Sequence, residues 1–89
     1  MTLNVLLFTN SKNCQPCKSL KGYLATNHPD FQYTEVDVFQ DMDKAMEYKV
    51  KSAPTMILLK DDVVFDTVIG YNNNTKEHIE KIIFSVMKR

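Results

Sequence analysis

The sequence has 89 residues, of which 44% are hydrophobic and 25% charged, and its 11 lysine and arginine residues balance its 11 aspartate and glutamate residues. This length and composition predict one globular domain spanning residues 1–89 and argue against disorder. The zero net charge and the lack of a basic run argue against nucleic acid as a partner. No apolar run exceeds four residues, far below the roughly 20 that cross a bilayer, so we expect no membrane partner.

The first half of the chain predicts two strands, each followed by a helix. Leu3–Phe8 has the apolar pattern of a buried strand. The next helix, which ends before Pro29, has an apolar face of three residues: Cys17, Leu20 and Leu24. β-forming residues predict a second strand over Phe31–Phe39. Asp41 is the expected N-cap of a short helix that buries three side chains: Met42, Ala45 and Met46.

The second half predicts a hairpin and a final helix. The apolar runs Thr55–Leu59 and Val63–Ile69 are separated by so few polar residues that we expect an antiparallel pair. Asn74 and Glu77 have the spacing of a capping box. The helix that follows has an apolar face at five positions: Ile79, Ile82, Ile83, Val86 and Met87.

The element order βαβαββα predicts an α/β fold. A right-handed crossover would join a parallel strand pair. With the antiparallel hairpin, this gives a four-stranded mixed sheet flanked on both faces by three helices.

Both cysteines lie in one CQPC motif at residues 14–17. As a structural disulfide the pair would close a four-residue loop, which stabilises a fold by about 2 kcal/mol, against about 4.7 kcal/mol for a 100-residue loop. As a zinc site it would supply two of four ligands, and the other soft candidates, His28 and His78, are isolated. The spacing and context favour a redox dithiol, with a metal site and a structural pair as the alternatives.

The motif lies where the first strand ends and the first helix begins. Cys14 would have its sulfur near unpaired N–H groups at the positive end of the helix, which stabilises a thiolate, and Cys17 would lie one turn inside. Pro16 suits the first helical turn. Lys12 and Lys18 flank the motif and either stabilise the thiolate or are solvated surface lysines.

The sequence resembles the thioredoxin family over nearly its whole length. The resemblance consists of CxxC after the first strand, the Ser-Ala-Pro-Thr sequence at residues 52–55, Gly70, and an ungapped match over residues 36–55. It implies a thioredoxin-like fold in which Pro54 is cis and faces the dithiol. The backbone of Ala53 would pair with an extended substrate strand, and Gly70 would leave the groove open; otherwise Pro54 is a trans residue that starts a strand and Gly70 a turn glycine. The substrate would also contact Gln15 and Pro16.

The chain departs from the family pattern at two places. Thioredoxins usually have Trp before the first cysteine and Gly-Pro within the motif, whereas this chain has Asn13 and Gln15. The buried Asp of the usual proton relay is replaced by Phe8, and its Lys partner by Glu35. We hypothesise that Glu35, projecting from its strand toward the underside of the site, partly replaces this proton relay; the alternative is a solvent-exposed glutamate on an edge strand.

The predicted activity is reduction of protein disulfides through Cys14 and Cys17. The chain is similar to small redoxins that supply electrons to ribonucleotide reductase, which is therefore an expected substrate. Electrons would come from thioredoxin reductase or, if the chain is instead a glutaredoxin, from glutathione. A CxxC metal-binding protein and a redox-inactive binding module are the remaining alternatives.

The expected setting is the cytoplasm, or the host cytoplasm for a viral protein. The first basic residue, Lys12, follows the apolar stretch rather than preceding it, the wrong order for a secretory signal. We expect a monomer without cofactor or metal.

Overall fold

The computed structural model describes residues 3–87, and the predicted order βαβαββα is confirmed. Residues 1, 2, 88 and 89 of the predicted domain, and the side chain of Met87, lie outside the described part. The elements are β1 (Leu3–Thr9), α1 (Gln15–Asn27), β2 (Thr34–Asp37), α2 (Met42–Glu47), β3 (Thr55–Lys60), β4 (Val63–Ile69) and α3 (Asn73–Met87). Between residues 3 and 87, no helix combines the length and apolarity needed to cross a membrane.

The strands form the predicted four-stranded mixed sheet, in the order β2-β1-β3-β4. Strand β1 pairs in parallel with β2 and antiparallel with β3, and β3 pairs antiparallel with β4. The β3–β4 turn consists of Asp61 and Asp62, both with positive φ, which Asp tolerates better than most residues.

Two buried clusters lie on opposite faces of the sheet, because successive strand residues point to opposite sides. On one face, Val5 and Leu7 of β1 pack with buried residues of α1 and α3: Leu20, Leu24, Ile79, Ile82 and Ile83. On the other face, Phe8 packs in a smaller cluster with Ala45 of α2. Helices α1 and α3 therefore cover one face and α2 covers the other.

Strand β2 is shorter than predicted. It covers only Thr34–Asp37 rather than Phe31–Phe39. Phe31 is buried in the larger cluster from the preceding loop, so its apolar character reflects packing and not strand structure. The backbone N–H of Phe39 donates to the carboxylate of Asp37 at 2.8 Å, and this local bond turns the chain away from the sheet.

Helix α2 begins as predicted but buries less than predicted. The side chain of Asp41 accepts a hydrogen bond from the N–H of Lys44 at 3.1 Å, which confirms the N-cap. Of the three side chains expected inside, only Ala45 is buried, and Met42 and Met46 are exposed. Ala45 packs in the smaller cluster against the sheet, whereas the side chains of Met42 and Met46 extend into solvent.

Helix α3 begins earlier than the predicted capping box. The reciprocal bonds join Asn72 and Thr75 rather than Asn74 and Glu77: the Asn72 side chain accepts from the Thr75 N–H at 3.0 Å, and the Thr75 hydroxyl accepts from the Asn72 N–H at 2.7 Å. Threonine can replace glutamate in this role because its hydroxyl reaches the same backbone N–H.

The packing of α3 gives a stability prediction. Ile79 is fully buried between α3 and the sheet, so Ile79→Ala should lower the free energy of unfolding by about 2–5 kcal/mol. Lys81→Ala, an exposed position on the same helix, should change it by less than about 0.5 kcal/mol. Urea unfolding of both variants measures the difference, and equal values would show that α3 does not anchor the core through Ile79.

Candidate active site

The two cysteines lie at the start of α1, where the sequence predicted them. Cys14 is the N-cap residue, and its Sγ accepts a hydrogen bond from the backbone N–H of Cys17 at 3.1 Å. The two residues are joined by a disulfide with an S–S distance of 2.08 Å. Cys14 is 8% exposed and Cys17 only 2% exposed, so an incoming substrate has more access to Cys14.

A polar loop connects β1 to the cysteines. The side-chain oxygen of Asn10 accepts hydrogen bonds from the backbone N–H groups of Lys12 at 2.9 Å and Asn13 at 3.4 Å. Asx turns of this kind fix loop conformation without a buried core. Gln15 and Pro16 lie exposed in the first turn of α1, where a substrate bound at Cys14 would meet them.

Pro54 lies at the same edge of the sheet as the cysteines. The antiparallel register pairs Phe8 of β1 with Thr55 of β3, so the residue before Thr55 lies beside the end of β1. The Ala53–Pro54 peptide bond is cis, the conformation that the resemblance implied. Ala53 is half-buried and precedes the first paired residue of β3, which leaves its backbone outside the sheet ladder.

Gly70 is held beside Pro54 by a backbone hydrogen bond. Its N–H donates to the carbonyl oxygen of Pro54 at 2.8 Å. Its φ of 85° lies in the left-handed region that favours glycine, and a Cβ built there would meet no atom within 4 Å. The backbone angle therefore explains the glycine, and the space beside Pro54 is open on this side.

A cavity of about 220 Å³ lies beside the disulfide, and we call it the cysteine cavity. Its lining comes from β1, the following loop, α1 and β2: Thr9, Asn10, Ser11, Cys14, Cys17, Lys18, Lys21 and Glu35. The structure thus brings Glu35 to the same cavity as both cysteines. Glu35 is also on the edge strand β2, and 41% of its side chain is exposed, so each of the two sequence-based interpretations describes part of its position.

Two hydrogen bonds hold the Glu35 carboxylate. It accepts from the Thr9 hydroxyl at 2.8 Å and from the Lys21 ammonium at 3.0 Å. Burial raises the pKa of Glu35, but the bonds from Thr9 and Lys21 and the positive charge of Lys21 outweigh it and lower the pKa below the ordinary 4.5. Glu35 is therefore ionised at neutral pH.

A second cavity, of about 210 Å³, lies on the α2 side of the loop, and we call it the Phe39 cavity. Its lining residues are Asn10, Val38, Phe39, Val50, Lys51, Ser52 and Ala53. Asn10 borders both cavities. The Lys12 Nζ lies 5.0 Å from the centroid of the Phe39 ring, within the range of a cation–π contact.

Three residues that line the two cavities were not predicted as site residues: Thr9, Lys21 and Phe39. The β-forming pattern predicts a strand through Phe39, but Phe39 follows β2, a parallel neighbour of β1, and so belongs to the edge where ligands bind in such sheets. Lys21 follows Cys17 by four residues, a spacing that places both on one helix face. The four-residue spacing from Cys17 could have indicated that Lys21 lies near the site, but it does not show that Lys21 pairs with Glu35 on β2.

The two histidines that were weighed as metal ligands contact carboxylates on other elements. His28 Nε2 lies 2.8 Å from Glu80, and His78 Nε2 lies 2.9 Å from Asp66. Among residues 3–87, no three side chains of histidine, cysteine, aspartate or glutamate form a group that could hold a metal ion.

Comparison with known proteins identifies the family. The family model described as Thioredoxin matches residues 2–85. The chain is 34% identical to a thioredoxin of Mycoplasmoides gallisepticum, over 84% of this chain and 88% of that protein. It is 37% identical to thioredoxin-2 of Pyricularia oryzae over 66% of this chain, but the match spans only 36% of that protein.

The fold of this chain is also similar to that of a thioredoxin of known structure. The thioredoxin NaTrxh of Nicotiana alata superposes with a TM-score of 0.76 at 29% identity, over 93% of this chain and 71% of that one. The superposition confirms the thioredoxin-like fold, and the Cys14–Cys17 disulfide is a redox-type cysteine pair. The chain therefore belongs to the thioredoxin family of disulfide reductases.

Proposed function

We propose that this chain reduces disulfide bonds in other proteins by thiol–disulfide exchange. The observation that carries the proposal is the placement of Cys14 at the N-terminus of α1, with Cys17 within bonding distance and more deeply buried. The N–H groups at a helix start favour a thiolate. Cys14 is therefore the attacking sulfur and Cys17 the resolving sulfur.

The exchange moves two electrons to the substrate. The Cys14 thiolate attacks one sulfur of the substrate disulfide, and the other substrate sulfur leaves as a thiolate that takes a proton from water. Cys17 then loses its proton and attacks Cys14, which breaks the mixed disulfide and releases the second substrate sulfur. The product is the Cys14–Cys17 disulfide that the structure contains.

The two cysteines should respond differently to substitution. Cys17→Ser should accumulate a mixed disulfide with an oxidised protein such as insulin, because the first step proceeds and the second cannot. Cys14→Ser should lose insulin reduction altogether. Non-reducing gel electrophoresis and mass spectrometry measure the adduct, and the opposite pattern, with Cys17 the thiol that is alkylated first, would overturn the assignment.

The expected electron donor is a thioredoxin reductase. Glutaredoxins usually have a glycine pair after the hairpin, whereas Gly70 is followed here by Tyr71. The Tyr71 side chain packs against the larger core cluster and lies 6.0 Å from the ring centroid of Tyr23. A side chain fixed at this position supports the reductase over glutathione.

The donor prediction has a direct measurement. Thioredoxin reductase with NADPH should reduce the Cys14–Cys17 disulfide, followed as NADPH consumption, whereas glutathione with glutathione reductase should leave it oxidised. Efficient reduction by glutathione would favour the glutaredoxin alternative.

The substrate would bind across the edge of the sheet that contains Ala53, Pro54 and Gly70. An extended segment can pair with the backbone of Ala53, as peptides do when they add a strand to a sheet. Ala53 also lines the Phe39 cavity, and Asn10 separates that cavity from the cysteines. A side chain next to the substrate cysteine would therefore enter the Phe39 cavity.

Replacing Phe39 should weaken the binding of protein substrates but not of small disulfides. Phe39→Ala should raise KM for a disulfide-containing protein by about threefold to tenfold, the loss of one apolar contact at an interface. Hydroxyethyl disulfide does not extend to the cavity, and its rate should change by less than about twofold. Reduction of both substrates by each variant measures the effect.

The chain contains a matched control for this substitution. Phe65 on β4 is 45% exposed with the Lys60 Nζ 5.4 Å from its ring, and Phe39 is 48% exposed with Lys12 at 5.0 Å. Phe65→Ala should leave both KM values unchanged. Equal losses in the two variants, or an equal loss with the small disulfide, would contradict a role for the Phe39 cavity.

Two finer assignments are part of the proposal. Ribonucleotide reductase is a proposed substrate, supported by the resemblance to small redoxins, and a coupled assay with the oxidised enzyme tests it. The cytoplasm is the proposed location, supported by a cysteine content that is confined to one redox motif.

A proton-relay role for Glu35 stays a prediction. Its place in the cysteine cavity supports the role. Its lowered pKa makes it a weak base at neutral pH, which points to a different use of the same carboxylate.

A further inference from the structure

An ion pair borders the cavity beside Cys17. The Lys21 Nζ lies 3.0 Å from the Glu35 carboxylate, and the two side chains are 37% and 41% exposed. The same carboxylate oxygen accepts a hydrogen bond from the Thr9 hydroxyl at 2.8 Å. Three elements, β1, α1 and β2, therefore converge on one oxygen atom, and an exposed surface ion pair does not usually have this extra support.

Lys21 shares a helix face with Cys17. It follows Cys17 by four residues in α1, and side chains at this spacing lie one turn apart on the same face. Both line the cysteine cavity. The lysine stem thus starts next to the resolving cysteine and extends towards Glu35, which fixes where the ammonium group lies.

We propose that Lys21 is the electrostatic partner of the Cys17 thiolate in the resolving step, and that Glu35 and Thr9 are positioning residues that hold its ammonium group in the cysteine cavity. This inference rests on the proposed exchange reaction. The structure contains the disulfide, in which neither sulfur is charged, and among residues 3–87 the ammonium is paired with Glu35. When Cys17 ionises, a second anion forms in the same cavity.

The step is balanced without any further reagent. The Cys17 S–H bond breaks and its proton passes to water, since the cavity is open to solvent. A bond forms between the Cys17 and Cys14 sulfurs, the bond from Cys14 to the substrate breaks, and the substrate sulfur leaves as a thiolate that takes up a proton. Lys21 keeps all its protons and contributes only its charge.

Other charged groups face the same cavity and define the controls. Lys18 comes from α1 and Glu35 from β2, and Cys14, the N-cap residue of α1, becomes charged as a thiolate. Asp37 lies two residues further along β2, close enough to act on Glu35 by charge, and the remaining lining residues Thr9, Asn10 and Ser11 are uncharged. Lys18 is the matched control, because it is a second lysine that lines the cavity but forms no ion pair with another of residues 3–87.

The test measures Cys17 directly. In the Cys14→Ser background, where Cys17 is the only thiol, the rate of alkylation by iodoacetamide is followed against pH. Adding Lys21→Gln should slow alkylation at pH 7 by about threefold to tenfold, because a smaller fraction of the Cys17 thiol is ionised. The rate at the high-pH plateau should not change, since Cys17 is fully ionised there in both proteins. Lys21→Arg should stay within about twofold of the parent, and Lys18→Gln should have less than half the effect of Lys21→Gln.

A double variant separates loss of the lysine from exposure of the glutamate. Lys21→Gln alone leaves an unpaired carboxylate near Cys17, which would also disfavour the thiolate. If the cation itself matters, Lys21→Gln with Glu35→Gln should remain slower than Glu35→Gln alone. If the double variant alkylates as fast as Glu35→Gln, the effect belongs to the carboxylate and the proposal is wrong.

The proposal and the exchange reaction can fail separately. Insulin reduction by the unsubstituted chain tests the reaction, whereas Cys17 alkylation requires no substrate and tests Lys21. An unchanged alkylation profile in Lys21→Gln would overturn the role of Lys21 even if the chain reduces insulin. Thermal unfolding of each variant checks the fold, and normal alkylation in Lys21→Arg shows that charge rather than the lysine shape is required.

Discussion

Every part of the candidate site depends on the pairing of strand β1 with a neighbour on each side. Its antiparallel partner β3 starts opposite Phe8, which brings Pro54 to the edge where β1 ends. Its parallel partner β2 aligns Leu7 with Glu35, which lets the Thr9 hydroxyl reach that carboxylate. The chain then leaves β1 through a short loop and enters α1 at Cys14. A shift of one residue in either register would turn these side chains to the other face of the sheet.

The fold could be predicted from the sequence because its strongest patterns come from burial. The apolar runs of β1 and β3 contribute to both buried clusters, and the apolar face of α3 contributes to the larger one, so their patterns identified them. Only Val68 of β4 is buried. The errors occurred where apolar residues serve another purpose. Phe31 is buried from a loop, Phe39 borders a surface cavity, and Met42 and Met46 remain exposed. Hydrophobicity alone does not distinguish a buried strand residue from these.

The site was predictable in its covalent part and less so in its electrostatic part. The motif spacing placed both sulfurs at the start of a helix, since a helix start is a local feature. The ion pair between Lys21 and Glu35 joins residues 14 positions apart on different elements, and it depends on how α1 lies against β2. The contact of Lys12 with the Phe39 ring likewise joins two loops that are distant in the sequence. Contacts of this kind depend on how separate parts of the chain pack together. The residue pattern of a single helix or strand does not contain that information.

The turn of the β3–β4 hairpin lies at the end of the sheet opposite the cysteines. Strand β3 runs away from Pro54 and β4 returns to Gly70, so the turn at Asp61 and Asp62 lies a full strand length from the cysteines. Both turn residues adopt the left-handed backbone region that a tight two-residue hairpin turn requires. The turn is therefore the natural attachment point for a fluorophore or an affinity tag, since a label there leaves the edge that meets other proteins uncovered.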